Sequence, residues 1–387
     1  MRWNIGIIWC TLLLIFGCAP QPKIQKLPEE KKPTVSEAKK YHSSGFEYFK
    51  NGQYEDAIRN YKQAIAESTL FVDAYLDLAR TYTVIHNYEE AESTYMRLIN
   101  ILPNEPNGYY GLGRLYTEER KYVLALQQYD KALEIDPEDA LAFYGKGYVN
   151  EKTGDTGETL RYYERAKELA PDDINIRYSL GKLYVKLERY EDGIRELETV
   201  LQEHPEDIEV RLFLGDAYAS VGRYRKAEEQ FTYIVEQSPD YAAAWVKLGN
   251  VCVDMKKYSE AMGNYKKAIE IDPAQPSFYY HLVDLLVKLK NYTEVNAYLK
   301  KAFTITPDDA ILVALSGDLY IAKADDAFKV KDWDTAISNY QIAINNYEKV
   351  KTLTDSPHWV GYAKKGIERA QIQLKKAKEE RWWDKGK

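Results

Sequence analysis

The sequence predicts an all-α chain, an α-solenoid of paired helices closed by a capping helix, and three observations predict it. Prolines fall at Pro103, Pro137, Pro171, Pro205, Pro239, Pro273 and Pro307, each 34 residues after the last. Small residues keep the same interval at Gly45, Ala79, Gly113, Gly147, Gly181, Gly215, Gly249 and Gly317, with Val283 in the one gap. A second small series runs Ala57, Ala91, Ala125, Thr159, Gly193, Ala227, Ala261 and Val295. Tyrosine, frequent at 34 of 387 residues, marks a third at Tyr54, Tyr88, Tyr122, Tyr190, Tyr224, Tyr258 and Tyr292. A fixed period of this length is the signature of a repeat array, whose units bury their apolar faces only by stacking on one another.

Taken in order, the chain opens with Met1-Arg2 and an apolar run from Ile5 to Phe16. At about 12 residues the run is too short to span a membrane, which needs ~20, but it suits the apolar part of an export signal. Ile15-Phe16-Gly17-Cys18 resembles a bacterial lipobox, with bulky Phe16 as its one departure. The resemblance implies that residues 1–17 are removed and that Cys18 becomes a lipid-modified first residue. Ala19 follows it in place of the aspartate associated with inner-membrane retention, which points to the outer membrane where the host has one. An ordinary secretory signal or an N-terminal anchor is the alternative. Residues 18–36 carry Pro20, Pro22, Pro28 and Pro33 among polar residues and predict a disordered tether.

Nine units follow across residues 38–350, beginning near 38, 72, 106, 140, 174, 208, 242, 276 and 310. In the unit at Pro106, Tyr109, Leu112, Gly113 and Tyr116 form one helical stripe, and Ala125, Tyr129 and Ala132 form a second. Proline lies just past the second helix, where it cannot continue the hydrogen-bond ladder. Asp139, Asp173, Asp207 and Asp309 stand where the next helix needs a cap. This Leu-Gly…Tyr…Ala…Tyr…Ala…Pro pattern resembles the tetratricopeptide repeat. The resemblance implies a right-handed superhelix, first helices lining a concave groove, and a binding scaffold rather than a catalyst.

Two units depart from the pattern. The fourth has Asn150 for tyrosine, Thr159 for alanine, and Gly154 and Gly157 in its turn; it reads as a weaker unit or a flexible joint, with sequence drift as the alternative. In the ninth, Gly317 and Ala336 are 19 apart where other units have 12. Seven residues are about two helical turns, so this insertion lengthens the helices without rotating their faces. Residues 357–387 then predict a capping helix and basic tail, with Ser356 as N-cap and Trp359, Ile367, Ala370 and Leu374 inward. Its nine basic and four acidic residues, with Trp382 and Trp383, would allow contact with an anionic membrane; a solvated, frayed end is the plainer alternative.

The chemistry available is that of binding. A net charge of −7 does not favour nucleic acid as a partner, because phosphate neutralisation needs a basic surface. Three cysteines supply neither a disulfide framework nor a zinc cage, and the five histidines have no metal-binding spacing, so no cofactor or metal is expected. No nucleophile elbow, phosphate loop or dinucleotide fingerprint interrupts the repeats, and no enzymatic role is expected. Cys252 takes a packing position and reads as a buried small residue.

The resemblance implies that positions 2, 5, 9 and 12 of each first helix face the groove. Position 9 reads Phe46, Arg80, Arg114, Tyr148, Lys182, Asp216, Asn250, Asp284 and Asp318, turning from basic or aromatic to acidic along the chain. Together with position 5, this makes Tyr110, Arg114, Tyr144, Tyr148, Tyr178 and Lys182 a candidate wall for an acidic or aromatic peptide. Units 6 to 9 would favour a basic segment. The alternative is that several of these tyrosines pack between neighbouring first helices. The resulting expectation is a lipid-anchored scaffold or assembly factor of the bacterial cell envelope, binding protein or peptide partners and the membrane. A carbohydrate- or peptidoglycan-binding protein using the tyrosines is the alternative.

Overall fold

The computed structural model describes residues 35–385, and every regular element among them is an α-helix. The export signal, Cys18 and nearly all of the tether lie outside the described residues. The described residues divide into two compact units, meeting in sequence at Ile135 and Asp136.

The first unit contains three helix pairs: α1 (Val35–Lys50) with α2 (Tyr54–Glu67), α3 (Val72–Val84) with α4 (Tyr88–Ile101), and α5 (Pro106–Glu118) with α6 (Tyr122–Ile135). The second begins with α7 (Ala140–Thr153) and α8 (Thr156–Leu169), α9 (Ile174–Lys186) and α10 (Tyr190–Glu203), and α11 (Ile208–Ser220) and α12 (Tyr224–Gln237). It continues through α13 (Ala242–Asp254) and α14 (Tyr258–Ile271), then α15 (Pro276–Lys288) and α16 (Tyr292–Ile305). The long helices α17 (Ala310–Lys329) and α18 (Trp333–Leu353) and the terminal α19 (Pro357–Lys385) complete it. From α3 onward, each first helix begins at the residue where the sequence unit begins. The tyrosine series marks the first residue of the second helices. α1 starts at Val35, so the last two residues assigned to the tether are already helical.

Local chemistry explains these boundaries. The side chains of Asp139, Asp173, Asp207 and Asp309 each accept two backbone N–H groups of the helix they precede; for Asp139 these come from Leu141 at 2.9 Å and Ala142 at 3.0 Å. The turn within each pair is closed by a residue in the left-handed region. His86 (φ 59°), Arg120 (φ 59°), Glu188 (φ 60°) and Lys256 (φ 61°) hold this position without being glycine. In the second pair the wrapping bonds run from the Asn87 N–H to the Tyr82 carbonyl at 2.8 Å and from His86 to Thr83 at 2.9 Å, which satisfies carbonyls at the helix end.

The fourth repeat keeps this turn. Gly154 (φ 88°) occupies the left-handed position, where a residue without Cβ is at least cost, and Asp155 N–H bonds back to Asn150 at 3.0 Å. Thr159 is fully buried, and its hydroxyl donates to the Asp155 carbonyl at 2.6 Å. The departures that set this unit apart are absorbed into the common geometry.

The core is a ring-on-glycine contact repeated along the chain. A Cβ on Gly215 would stand 2.5 Å from two carbons of the buried Phe231 ring, and one on Gly147 would stand 2.5 Å from Tyr163. The first helix carries a small residue so that an aromatic ring of the second can lie against its backbone. Leucine replaces the ring twice: Leu197 lies against Gly181, and Leu299 holds the same register opposite Val283, where both are buried. At Val283 the larger side chain on the first helix goes with a smaller one on the second, whereas Gly181 keeps glycine opposite leucine.

In the last pair α17 has 20 residues and α18 has 21, against 13 and 14 in α15 and α16, so each helix gains seven. The pairing survives two extra turns: Gly317 meets Tyr347 instead of a residue nearer in sequence. Tyr347 is held from its other side by Gly366 of α19. Ala363, Ile367, Ala370, Leu374 and Ala377 form the buried stripe of that helix, while Trp359 is half-buried. Trp382 and Trp383 are exposed at its end.

Candidate functional site

Each unit has a cavity lined largely by first helices. In the first unit it measures about 540 Å³ and gathers Arg80 of α3 with Asn107, Tyr110 and Arg114 of α5. Arg80 and Arg114 are 34 residues apart and hold the same position on successive first helices, so both guanidinium groups enter one space. Neither forms an ion pair within 4.0 Å with a described residue. Arg114 is exposed at the cavity floor, and Tyr110 is half-buried beside it, its ring 5.9 Å from that of Tyr129. Tyr95 of α4 adds a buried ring, its hydroxyl pushed up to about 12 by burial against the pull of Arg114. Asp77 is turned to His42 at 2.8 Å, which leaves Glu118 as the other carboxylate on the lining.

The remaining predicted wall residues lie in the second unit and divide in two. Tyr148 is exposed on α7. Tyr144 is half-buried, stacks on Tyr163 with centroids 5.4 Å apart and shares a 3.0 Å hydrogen bond with Ser179 of α9. Lys182 lies over the Tyr178 ring at 5.2 Å and reaches towards Phe213 at 6.0 Å. Burial and the neighbouring Glu209 push the Tyr178 hydroxyl well above its ordinary pKa. Tyr144, Tyr178 and Lys182 thus bind successive first helices to one another, whereas Tyr148 is presented outward.

A second cavity of about 580 Å³ lies between α13, α15, α17 and α19. Asp254, Asp284 and Asp318 line it from three helices, and Trp359 and Tyr362 enter from the capping helix. Asp318 accepts hydrogen bonds from Tyr347 at 2.7 Å and Tyr362 at 2.8 Å. Burial raises its carboxyl above the ordinary range despite those donors, and Asp284 adds to the rise. His281 stacks on Tyr265 with centroids 5.6 Å apart, and burial lowers its pKa against the pull of Asp284. Lys288 pairs with Asp284 at 2.6 Å. Asp284 and Asp318 stood on the position-9 series; the part played by Trp359 and Tyr362 had no signal in the sequence, because it depends on where the capping helix is docked.

One further cluster joins Glu228, Cys252 and Glu260, whose ligand atoms lie within 4.8 Å of one another. The Lys257 ammonium sits 2.6 Å from Glu228 and 3.9 Å from Glu260 and already balances the carboxylates. Burial, with those two glutamates, pushes the Cys252 thiol up. It acts as a packing residue.

Comparison with known proteins follows the same lines. One tetratricopeptide repeat model matches residues 48–115, 152–214 and 188–248. A TPR repeat model matches 113–154 and 249–290, and a third tetratricopeptide model matches 276–309. Together they cover 48–309 without a gap, about two thirds of the chain. No curated protein matches. Among solved structures, the C-terminal part of a TPR repeat-containing protein from Cytophaga hutchinsonii is 18% identical with a TM-score of 0.50, covering 62% of this chain and 98% of its own. YrrB, a TPR protein described as having an unusual peptide-binding site, is 28% identical over 46% of this chain and 92% of its own, with a TM-score of 0.45. A thermophilic TPR protein of Thermus thermophilus is 21% identical over 47% of this chain and 99% of its own, with a TM-score of 0.41.

Proposed function

This chain belongs to the tetratricopeptide repeat family, and from that premise we propose that it is a lipid-anchored scaffold of the bacterial cell envelope. It gathers protein partners on the exposed faces of its first helices. The observation that carries the reading is the pair of arginines, Arg80 and Arg114, in one cavity with no ion pair of their own. Both arginines line the cavity, the Arg80 guanidinium lying over the Phe49 ring at 5.5 Å, and their charges are open to an anion. Planar donors flanked by tyrosine suit a carboxylate-bearing segment, because arginine binds carboxylates through two parallel hydrogen bonds. The partner is therefore a protein with an acidic stretch or a free C-terminus. The anchor rests on Ile15-Phe16-Gly17-Cys18 and on the proline-bearing residues that follow.

The test is cross-linking of the full-length protein in its native cells, followed by purification from the membrane fraction. Envelope proteins should be recovered with the wild type and lost with Arg80→Ala/Arg114→Ala, while Tyr144→Ala, which removes an inter-helix contact, should weaken folding more than capture. Cys18→Ser should leave the membrane fraction. Recovery of glycan without protein, or capture unchanged by the double variant, would reject the arginine cavity; a membrane-bound serine variant would reject the lipid anchor.

A further inference from the structure

We propose that the cavity between α13, α15, α17 and α19 is a cation pocket, which takes an arginine or lysine side chain from an extended basic segment of a protein partner. The inference rests on the scaffold reading above and names the chemistry of a second contact. Three carboxylates, Asp254, Asp284 and Asp318, converge on the cavity from separate helices, against one lining cation, Lys288. Asp254 has no ion pair within 4.0 Å among the described residues. The Asp284–Lys288 pair is exposed on one helix surface, with side chains 49% and 64% accessible, so an incoming cation can displace it at little cost.

The aromatic walls point the same way. Trp359 and Tyr362 meet edge to face at 5.5 Å, leaving ring faces and edges around the opening. A cation over a tryptophan or tyrosine face is attracted by the ring quadrupole, and more strongly where water is partly excluded. Tyr347 and Tyr362 fix Asp318 through both carboxylate oxygens, so its charge is positioned before any ligand arrives. The half-buried Val253 and Ile311 on the lining offer apolar surface to the methylene stem of a lysine or arginine, which buries its stem while its head meets charge. The same carboxylates repel an acidic segment, so the pocket also selects the sign of its partner.

The probe is a fluorescein-labelled, terminally capped glycine-serine peptide carrying three arginines, titrated into the full-length protein at physiological salt and read by anisotropy. Its counterpart with three glutamates should not bind. Asp284→Asn and Trp359→Leu should each weaken the arginine peptide about fivefold, in line with the loss of one close charge or one cation–π contact. Lys288→Gln should tighten it about threefold by removing the competing ammonium. Lys300→Gln makes the same charge change on the exposed side of α16, outside the cavity, and should stay within about twofold. Trp359→Phe, which keeps a ring, should recover part of the loss and so separates ring chemistry from folding. No binding, equal binding of the glutamate peptide, or equal responses to Lys288→Gln and Lys300→Gln would overturn the pocket. Loss of peptide binding with partner capture intact sinks this inference alone, and the reverse pattern sinks the arginine cavity alone.

Discussion

Gly215→Val places a bulky group on a position that faces the Phe231 ring. Already at Cβ the new side chain would be 2.5 Å from the Cε1 and Cζ atoms, about 1 Å inside ordinary carbon contact. The ring is 1% exposed and cannot swing into solvent. Overpacking of this kind costs about 1–3 kcal/mol, and replacing glycine within a helix returns a few tenths. We expect a net loss of about 2 kcal/mol on that balance. Phe231→Leu alone should cost about 1 kcal/mol through lost burial and the void beside Gly215. Added independently, the two would cost about 3 kcal/mol. The Val283–Leu299 pair, two repeats further on and fully packed, shows that the combination fits. The double variant should therefore cost about 1 kcal/mol, a coupling of about 2. Urea unfolding of the four proteins measures the cycle, and amide hydrogen exchange in α11 and α12 localises it, because repeat arrays can open in parts. A double variant as unstable as the sum, within about 0.5 kcal/mol, would refute size matching between positions 215 and 231.

Three further outcomes follow from local features. Gly154→Ala should destabilise by about 1–2 kcal/mol, because its left-handed backbone crowds a Cβ, whereas Glu188→Gly at the equivalent turn should be neutral or stabilising; urea midpoints decide both. Asp207→Ala removes a cap that accepts N–H groups from Glu209 at 2.8 Å and Val210 at 3.0 Å, and should cost about 1 kcal/mol in the same assay. Lys290 and Tyr292 hold the Asp326 carboxyl below the ordinary range, so the unfolded chain takes up its proton more readily than the native one. That contribution is complete above the unfolded value of about 3.9 and is lost as pH falls through the native one; the advantage of wild type over Asp326→Asn should be present at neutral pH and disappear in acid.

Most of the architecture was legible because repetition averages out local ambiguity. Eight first helices begin where the spacing put them, and the seven-residue insertion lengthened α17 in phase because it equals two turns; the seven further residues of α18 lie beyond Ala336, where the spacing gave no sign of them. What escaped depends on contacts between series. The exchange of ring for leucine at Leu299 gains meaning only once Val283 is known to face it. The left-handed turns escaped where glycine is absent, since His86, Arg120 and Glu188 carry no turn signature of their own. At the candidate site, position in the helix singled out Tyr110 and Tyr144 alike. The first lines a cavity, whereas the second leans onto Tyr163 and reaches Ser179, a distinction set by the neighbouring helices. Trp359 and Tyr362 escaped because the docking of α19 is fixed by Tyr347 between Gly317 and Gly366, three residues far apart in sequence.

The long final helices and the helix docked on them give the chain a mechanical polarity. At its start, α1 meets other described helices on one side, and Phe46 and Tyr48 are 38% and 37% exposed there. At its finish, three helices of 20, 21 and 29 residues lock around a single buried ring. A chain pulled from its N-terminus would peel one hairpin at a time, each release lengthening the leash while later repeats kept their grip. The finish would give way last. If the proposed lipid on Cys18 holds the chain, tension between membrane and cargo would be taken up first by the repeats nearest it, and the acidic, aromatic cavity would be the part of the molecule best sheltered from load.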